Sequence, residues 1–84
     1  MIITIYGRPG CPFCVRAKQI AEKLAASHDD ISCTYIDMYK EGISKEDLAK
    51  EKNIVVNTVP QVFVDQNHIG GCDDFVIYVK ENLN

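Results

Sequence analysis

Cys11 and Cys14 are separated by two residues in the segment Gly10-Cys11-Pro12-Phe13-Cys14. Two thiols at this spacing can close a disulfide, and they can also begin a metal site. The surrounding residues favour thiol chemistry. A strand-like run ends just before Cys11 and a helical pattern starts just after it, so Cys11 faces the free N–H groups and positive end of a helix. Arg8 and Lys18 add positive charge nearby. A cysteine so placed has a lowered pKa, and the thiolate is the nucleophile. Cys14, one turn deeper, can attack a mixed disulfide on Cys11 and release the partner. A zinc site wants four ligands, yet Cys33 and Cys72 stand alone and His28 and His68 show no ligand spacing. A soft-metal carrier also uses one cysteine pair, but Pro12 stiffens this loop and a helix follows at once. Two inert core cysteines would not need such a Gly- and Pro-rich setting.

Two further segments gain meaning beside this pair. Pro60 in Thr58-Val59-Pro60 reads by itself as a strand-start residue. Next to the thiols it suggests a cis Val59–Pro60 bond that would present the Val59 backbone to a ligand, an isomer that the residues alone leave open. Gly70-Gly71-Cys72-Asp73-Asp74 reads by itself as a glycine turn and helix start. Beside the thiols it becomes a place where backbone N–H groups meet a carboxylate and Asp74 meets an ammonium.

The elements that must position these residues follow from pattern. Ile2 to Tyr6 is an apolar, β-branched run stopped by Gly7-Arg8-Pro9-Gly10. Ala17, Ile20, Ala21, Leu24 and Ala25 make one helical face, and Pro12 suits the first turn. Ile31 to Ile36 alternates as a strand. Ser44 opens a short second helix as a cap, with Asp47 three residues on and Leu48 as the main anchor. Val62 to Val64 is a third strand, turning through Asp65-Gln66-Asn67-His68 into a short edge strand at His68-Ile69. A last helix spans about Asp73 to Asn82, with Phe75, Val76, Val79 and Leu83 on one face. The order is β-α-β-α-β-β-α, which predicts an α/β fold with a mixed four-stranded sheet flanked by three helices.

With 84 residues the sequence has room for one domain, residues 1–84. Its 46% hydrophobic and 25% charged content is globular. A net charge of −3 argues against nucleic acid, and no apolar run reaches the roughly 20 residues of a membrane helix. The first residues lack a secretory pattern, so a reducing, cytoplasmic setting is expected, in which cysteines are catalytic or metal-binding rather than structural.

Taken together, Gly7-Arg8-Pro9-Gly10-Cys11-Pro12-Phe13-Cys14, Thr58-Val59-Pro60, Gly70-Gly71-Cys72-Asp73-Asp74 and Val79-Lys80-Glu81-Asn82-Leu83 resemble the dithiol glutaredoxins. The likeness covers nearly the whole chain and is greatest for the small bacterial members that supply electrons to ribonucleotide reductase. It implies a thioredoxin-like fold and a glutathione-dependent thiol–disulfide oxidoreductase. Cys11 is then the nucleophile and Cys14 the resolving thiol. Thr58, Val59 and Pro60 would hold the cysteinyl part of glutathione, and Gly71, Cys72, Asp73 and Asp74 its γ-glutamyl end. Arg8 and Phe13 would border the site, with Arg8 near the glycyl carboxylate. The resemblance also implies a monomer that holds no metal and no tight cofactor. Glutathione is its co-substrate, with NADPH acting through glutathione reductase, and disulfide-containing proteins such as ribonucleotide reductase are its clients. Two positions depart from many relatives: Phe13 stands where they carry Tyr, and Cys72 where some carry an aromatic. Cys33 reads as a packing residue, and Cys72, a third thiol near the ligand site, as a packing residue ahead of a redox role. Two other readings keep the fold: a redoxin fed by thioredoxin reductase, and a cluster-bridging module using the first cysteine. Asp73, Asp74 and Arg8 weigh against the first, Pro12 and Cys14 against the second.

Overall fold

The structure is a computed structural model that describes residues 1–83. Its elements are β1 (Ile2–Gly7), α1 (Pro12–Ser27), β2 (Ser32–Asp37), α2 (Met38–Glu41), α3 (Lys45–Lys52), β3 (Gln61–Val64), β4 (Asn67–Gly70) and α4 (Cys72–Asn82). The sheet order is β2-β1-β3-β4. β1 runs parallel to β2 and antiparallel to β3, and β3 runs antiparallel to β4. This is the mixed four-stranded sheet that the pattern predicts. Among the described residues no helix is long and apolar enough to cross a membrane.

Period-two alternation along β1 and β3 sends side chains to opposite faces of the sheet. On one face Ile3, Ile5, Val62 and Val64 pack against Ala17 and Ala21 of α1 and Phe75 of α4. The two alanines let α1 lie close to the sheet, and Phe75 is fully buried. On the other face Tyr6 and Phe63 meet Met38 of α2 and Leu48 of α3. The pleat thus divides the core into two clusters, and the helix that follows the thiols belongs to the larger one.

Four helices flank the sheet among the described residues rather than the three expected. The extra one, α2, is a single turn. The Asp37 carboxylate accepts from the Lys40 N–H at 3.1 Å, and Met38 is its one buried anchor. Gly42, at φ +67°, stops it, its N–H donating to the Tyr39 carbonyl at 3.3 Å. Four residues carry too little periodicity to be seen in sequence. α3 begins at the expected cap. Ser44 Oγ accepts from the Asp47 N–H at 3.0 Å, and the Asp47 carboxylate accepts from the Ser44 N–H at 3.0 Å, a complete capping box.

Hydrogen bonding from Ser44, its backbone N–H first and its side chain second, holds the Asp47 carboxyl below the ordinary carboxylate value. A carboxyl with a lowered folded-state pKa stabilises the fold above its unfolded value and ceases to as pH falls through the folded one. Asp47→Asn is therefore expected to lower the melting temperature at pH 7. The gap to wild type should narrow once the pH drops below the ordinary carboxylate range. Thermal melts of both proteins from pH 7 to pH 2 check this, and a gap that persists unchanged at the acid end contradicts it.

Candidate active site

Three connections meet at one end of the sheet: the loop from β1 to α1, the segment entering β3, and the step from β4 to α4. The strand directions require it, because β1 ends where β3 begins and β4 ends beside the start of β3.

Cys11 is the N-cap of α1, with extended backbone at φ −114° and ψ 103°. Pro12 follows at the first helical position, where its missing N–H leaves nothing unsatisfied. The Cys14 N–H donates to Cys11 Sγ at 3.1 Å. The two cysteines are joined as a disulfide, with their Cα atoms 5.2 Å apart. Cys11 is part-exposed and Cys14 fully buried, so the pair presents one sulfur outward and keeps the other behind it. Close packing holds this arrangement. A Cβ on Gly7 would overlap the Tyr35 hydroxyl and lie 3.1 Å from Cys14 Cβ.

Cys11 Sγ lies 3.9 Å from the carbonyl oxygen of Val59. The Val59–Pro60 bond, whose isomer the residues alone leave open, is cis. A cleft of about 500 Å³ opens here. Phe13, Thr58, Val59 and Pro60 line one part of it, and Gly71, Cys72, Asp73 and Asp74 another. Phe13 stands 56% exposed in the lining, two residues on from Cys11, which is itself outside the lining and reaches it through Val59. Gly70, at φ +125°, leads into the second part. A Cβ there would run into the Asp74 carboxylate, which also accepts from the Gly71 N–H at 3.4 Å. The α4 start is thus closed by its own acidic first turn, Asp73 and Asp74.

The structure brings eight of the nine expected ligand-binding residues to this cleft. The ninth, Arg8, is exposed on the adjoining loop and is not among the lining residues. Lys18 sits over the Tyr35 ring, 5.0 Å from its centroid. Four lining residues were not foreseen: Val55, Asn57, Gln61 and His68. The approach to β3 is tied down by Lys45, whose Nζ donates to the Asn57 carbonyl at 3.1 Å. No motif marks these four. The hairpin register is the one signal that could have found His68, since it pairs with Phe63 beside Gln61.

The other two cysteines have a different character. Cys72 is buried at the start of α4, and burial chiefly pushes its thiol pKa up. Asp73 adds to the rise and Arg16 opposes it. Half-buried Cys33 is likewise raised, by burial and then by Glu22, against Lys18. The raised pKa disfavours the thiolate at both, which suits packing better than nucleophilic work.

Comparison with known proteins agrees with this arrangement. The glutaredoxin family profile matches residues 3–69. Glutaredoxin 1 of Salmonella typhimurium is 60% identical over 84 residues, covering 100% of this chain and 97% of that protein. Glutaredoxin 1 of Escherichia coli K12 is 56% identical, covering 100% and 99%. The solution structure of reduced Escherichia coli glutaredoxin superimposes with a TM-score of 0.89 at 57% identity, covering 99% and 98% of the two chains. With a helix-capping dithiol, a cis-proline beside it and matches of this extent, the chain belongs to the glutaredoxin family of thiol–disulfide oxidoreductases.

Proposed function

We propose that this chain, acting as a single monomeric domain over residues 1–84, uses glutathione to reduce protein disulfides and protein–glutathione mixed disulfides. The observation that carries the reading is the Cys14 N–H directed at Cys11 Sγ from 3.1 Å at a helix start, beside an open cleft. A backbone donor and a helix N-terminus stabilise a thiolate there.

The Cys11 thiolate attacks the glutathionyl sulfur of a mixed disulfide. A new Cys11–glutathione disulfide forms, and the protein leaves as its thiolate and takes up a proton. A second glutathione thiolate then attacks that disulfide and frees Cys11 as oxidised glutathione departs. With a protein disulfide, Cys11 bonds to one sulfur of the client and Cys14 displaces the client as a dithiol. This leaves Cys11–Cys14 oxidised, the state in this structure. Two glutathione molecules restore the dithiol, and NADPH regenerates glutathione through glutathione reductase. No tightly held cofactor or metal takes part.

The cleft suits a charged peptide thiol. Backbone groups of Thr58, Val59 and Pro60 would receive the cysteinyl portion in a strand-like manner. Gly71, Cys72 and the carboxylates of Asp73 and Asp74 would receive the γ-glutamyl amine and carboxylate. Phe13 covers the rim, and Arg8 would attract the glycyl carboxylate from its exposed loop. The reductant sets the compartment as the cytoplasm, and the resemblance favours disulfide clients such as ribonucleotide reductase over nucleic acid or membrane partners.

The test supplies NADPH to the pure protein with a glutathionylated peptide, in one arm through glutathione and its reductase, in the other through thioredoxin reductase alone. NADPH oxidation in the first arm only is expected. Turnover in the second arm alone would overturn the glutathione assignment.

A further inference from the structure

Gln61 is the one buried polar side chain among the described residues, 5% exposed at the start of β3. An amide is costly to bury unless its groups are paired. The sheet does not need this side chain, because the Gln61 backbone already pairs with Tyr6 of β1.

Its bonds run toward the cleft. Gln61 Nε2 donates to the Thr58 carbonyl at 2.9 Å. A carbonyl can only accept, so the amide nitrogen must face Thr58 and Gln61 Oε1 must face the other way. There it lies 2.6 Å from Nε2 of His68 on β4. Oε1 also only accepts, so His68 carries a proton on Nε2. That proton is present whether the ring is neutral or charged. The ring itself is seated against Phe63, 5.0 Å between centroids and tilted by 37°. Phe63 in turn meets Tyr6 edge-on at 5.6 Å. A rigid aromatic base therefore holds an imidazole, the imidazole holds an amide, and the amide holds the Thr58 carbonyl. The next carbonyl along the chain, that of Val59, is the one beside Cys11 Sγ.

We infer that His68 and Gln61 are positioning residues that set the Thr58–Val59 backbone for the cysteinyl part of glutathione; the inference rests on the glutathione reading above. Neither touches the sulfurs, and the Cys14 N–H that faces Cys11 Sγ belongs to α1, so the pair governs ligand capture rather than the exchange step. Losing one member strands a buried acceptor or donor and frees the Thr58 carbonyl.

Three variants separate the roles. His68→Phe keeps a ring against Phe63 but removes the donor. His68→Gln restores an N–H donor. Gln61→Met keeps the length of the side chain and removes both bonds. With a glutathionylated peptide at fixed glutathione, KM is expected to rise roughly fivefold to thirtyfold in His68→Phe and Gln61→Met. Their kcat should stay within about twofold of wild type, and His68→Gln should recover most of the KM. A long-range ¹H–¹⁵N spectrum of the wild type should show His68 protonated at Nε2. An Nδ1–H tautomer, a wild-type KM in His68→Phe, or a loss confined to kcat overturns the proposal. A wild-type protein that cannot turn over the glutathionylated peptide overturns the glutathione reading instead, and the histidine spectrum still decides the bond.

Discussion

Cys11→Ser is expected to abolish both activities, lowering the rate on protein disulfides and on glutathionylated peptides by at least about 10³-fold. Serine keeps nearly the same volume and can still accept from the Cys14 N–H, now 3.1 Å from Cys11 Sγ. What it loses is the sulfur: an alcohol does not ionise near neutral pH and cannot take part in disulfide exchange. The fold should be unaffected, because Cys11 is part-exposed at a helix cap and serine is a good cap itself. The coupled NADPH assay, with a thermal melt as control, is the measurement. A well-folded variant keeping more than about a hundredth of the wild-type rate would show that another thiol does the work.

Cys14→Ser is expected to split the two activities. The donor facing Cys11 Sγ is the backbone N–H of residue 14, not its side chain, so it survives the substitution. Cys11 should stay activated, and the reduction of glutathionylated peptides should continue within about threefold of wild type. Reduction of protein disulfides by the dithiol route should stop, since no second sulfur waits behind the first. A stable disulfide between Cys11 and the client should then accumulate, visible by intact mass and reversed by glutathione. If Cys14→Ser also ended the turnover of glutathionylated peptides, the division of labour between the two thiols would be wrong.

The sequence made much of this architecture visible because its strongest patterns coincide with its strongest physical needs. Ala17, Ile20, Ala21 and Leu24 mark one face of α1, and that face packs on the larger core cluster. Ser44 and Asp47 mark the start of α3 through chemistry that acts within three residues. The cysteine pair was legible for the same reason, since cap, proline and sulfurs are adjacent in the chain. α2 was not, because one turn anchored by Met38 leaves no periodic trace. Gln61 and His68 were missed for a different reason. Their bond joins residues seven apart across a hairpin, and each looks ordinary alone. Arg8, a charge next to the thiols in sequence, is exposed on the loop beside the cleft rather than in its lining.

The cleft joins the first turn of α1 to segments that follow it by more than half the chain, Cys11 and Val59 being 48 residues apart. On a ribosome the sulfurs therefore emerge well before the walls that select what they react with. The face of α1 that seats the first cysteine packs on Val62, Val64 and Phe75, which also arrive late, so the helix start that activates the sulfur and the walls that choose its partner are completed by the same final stretch of chain.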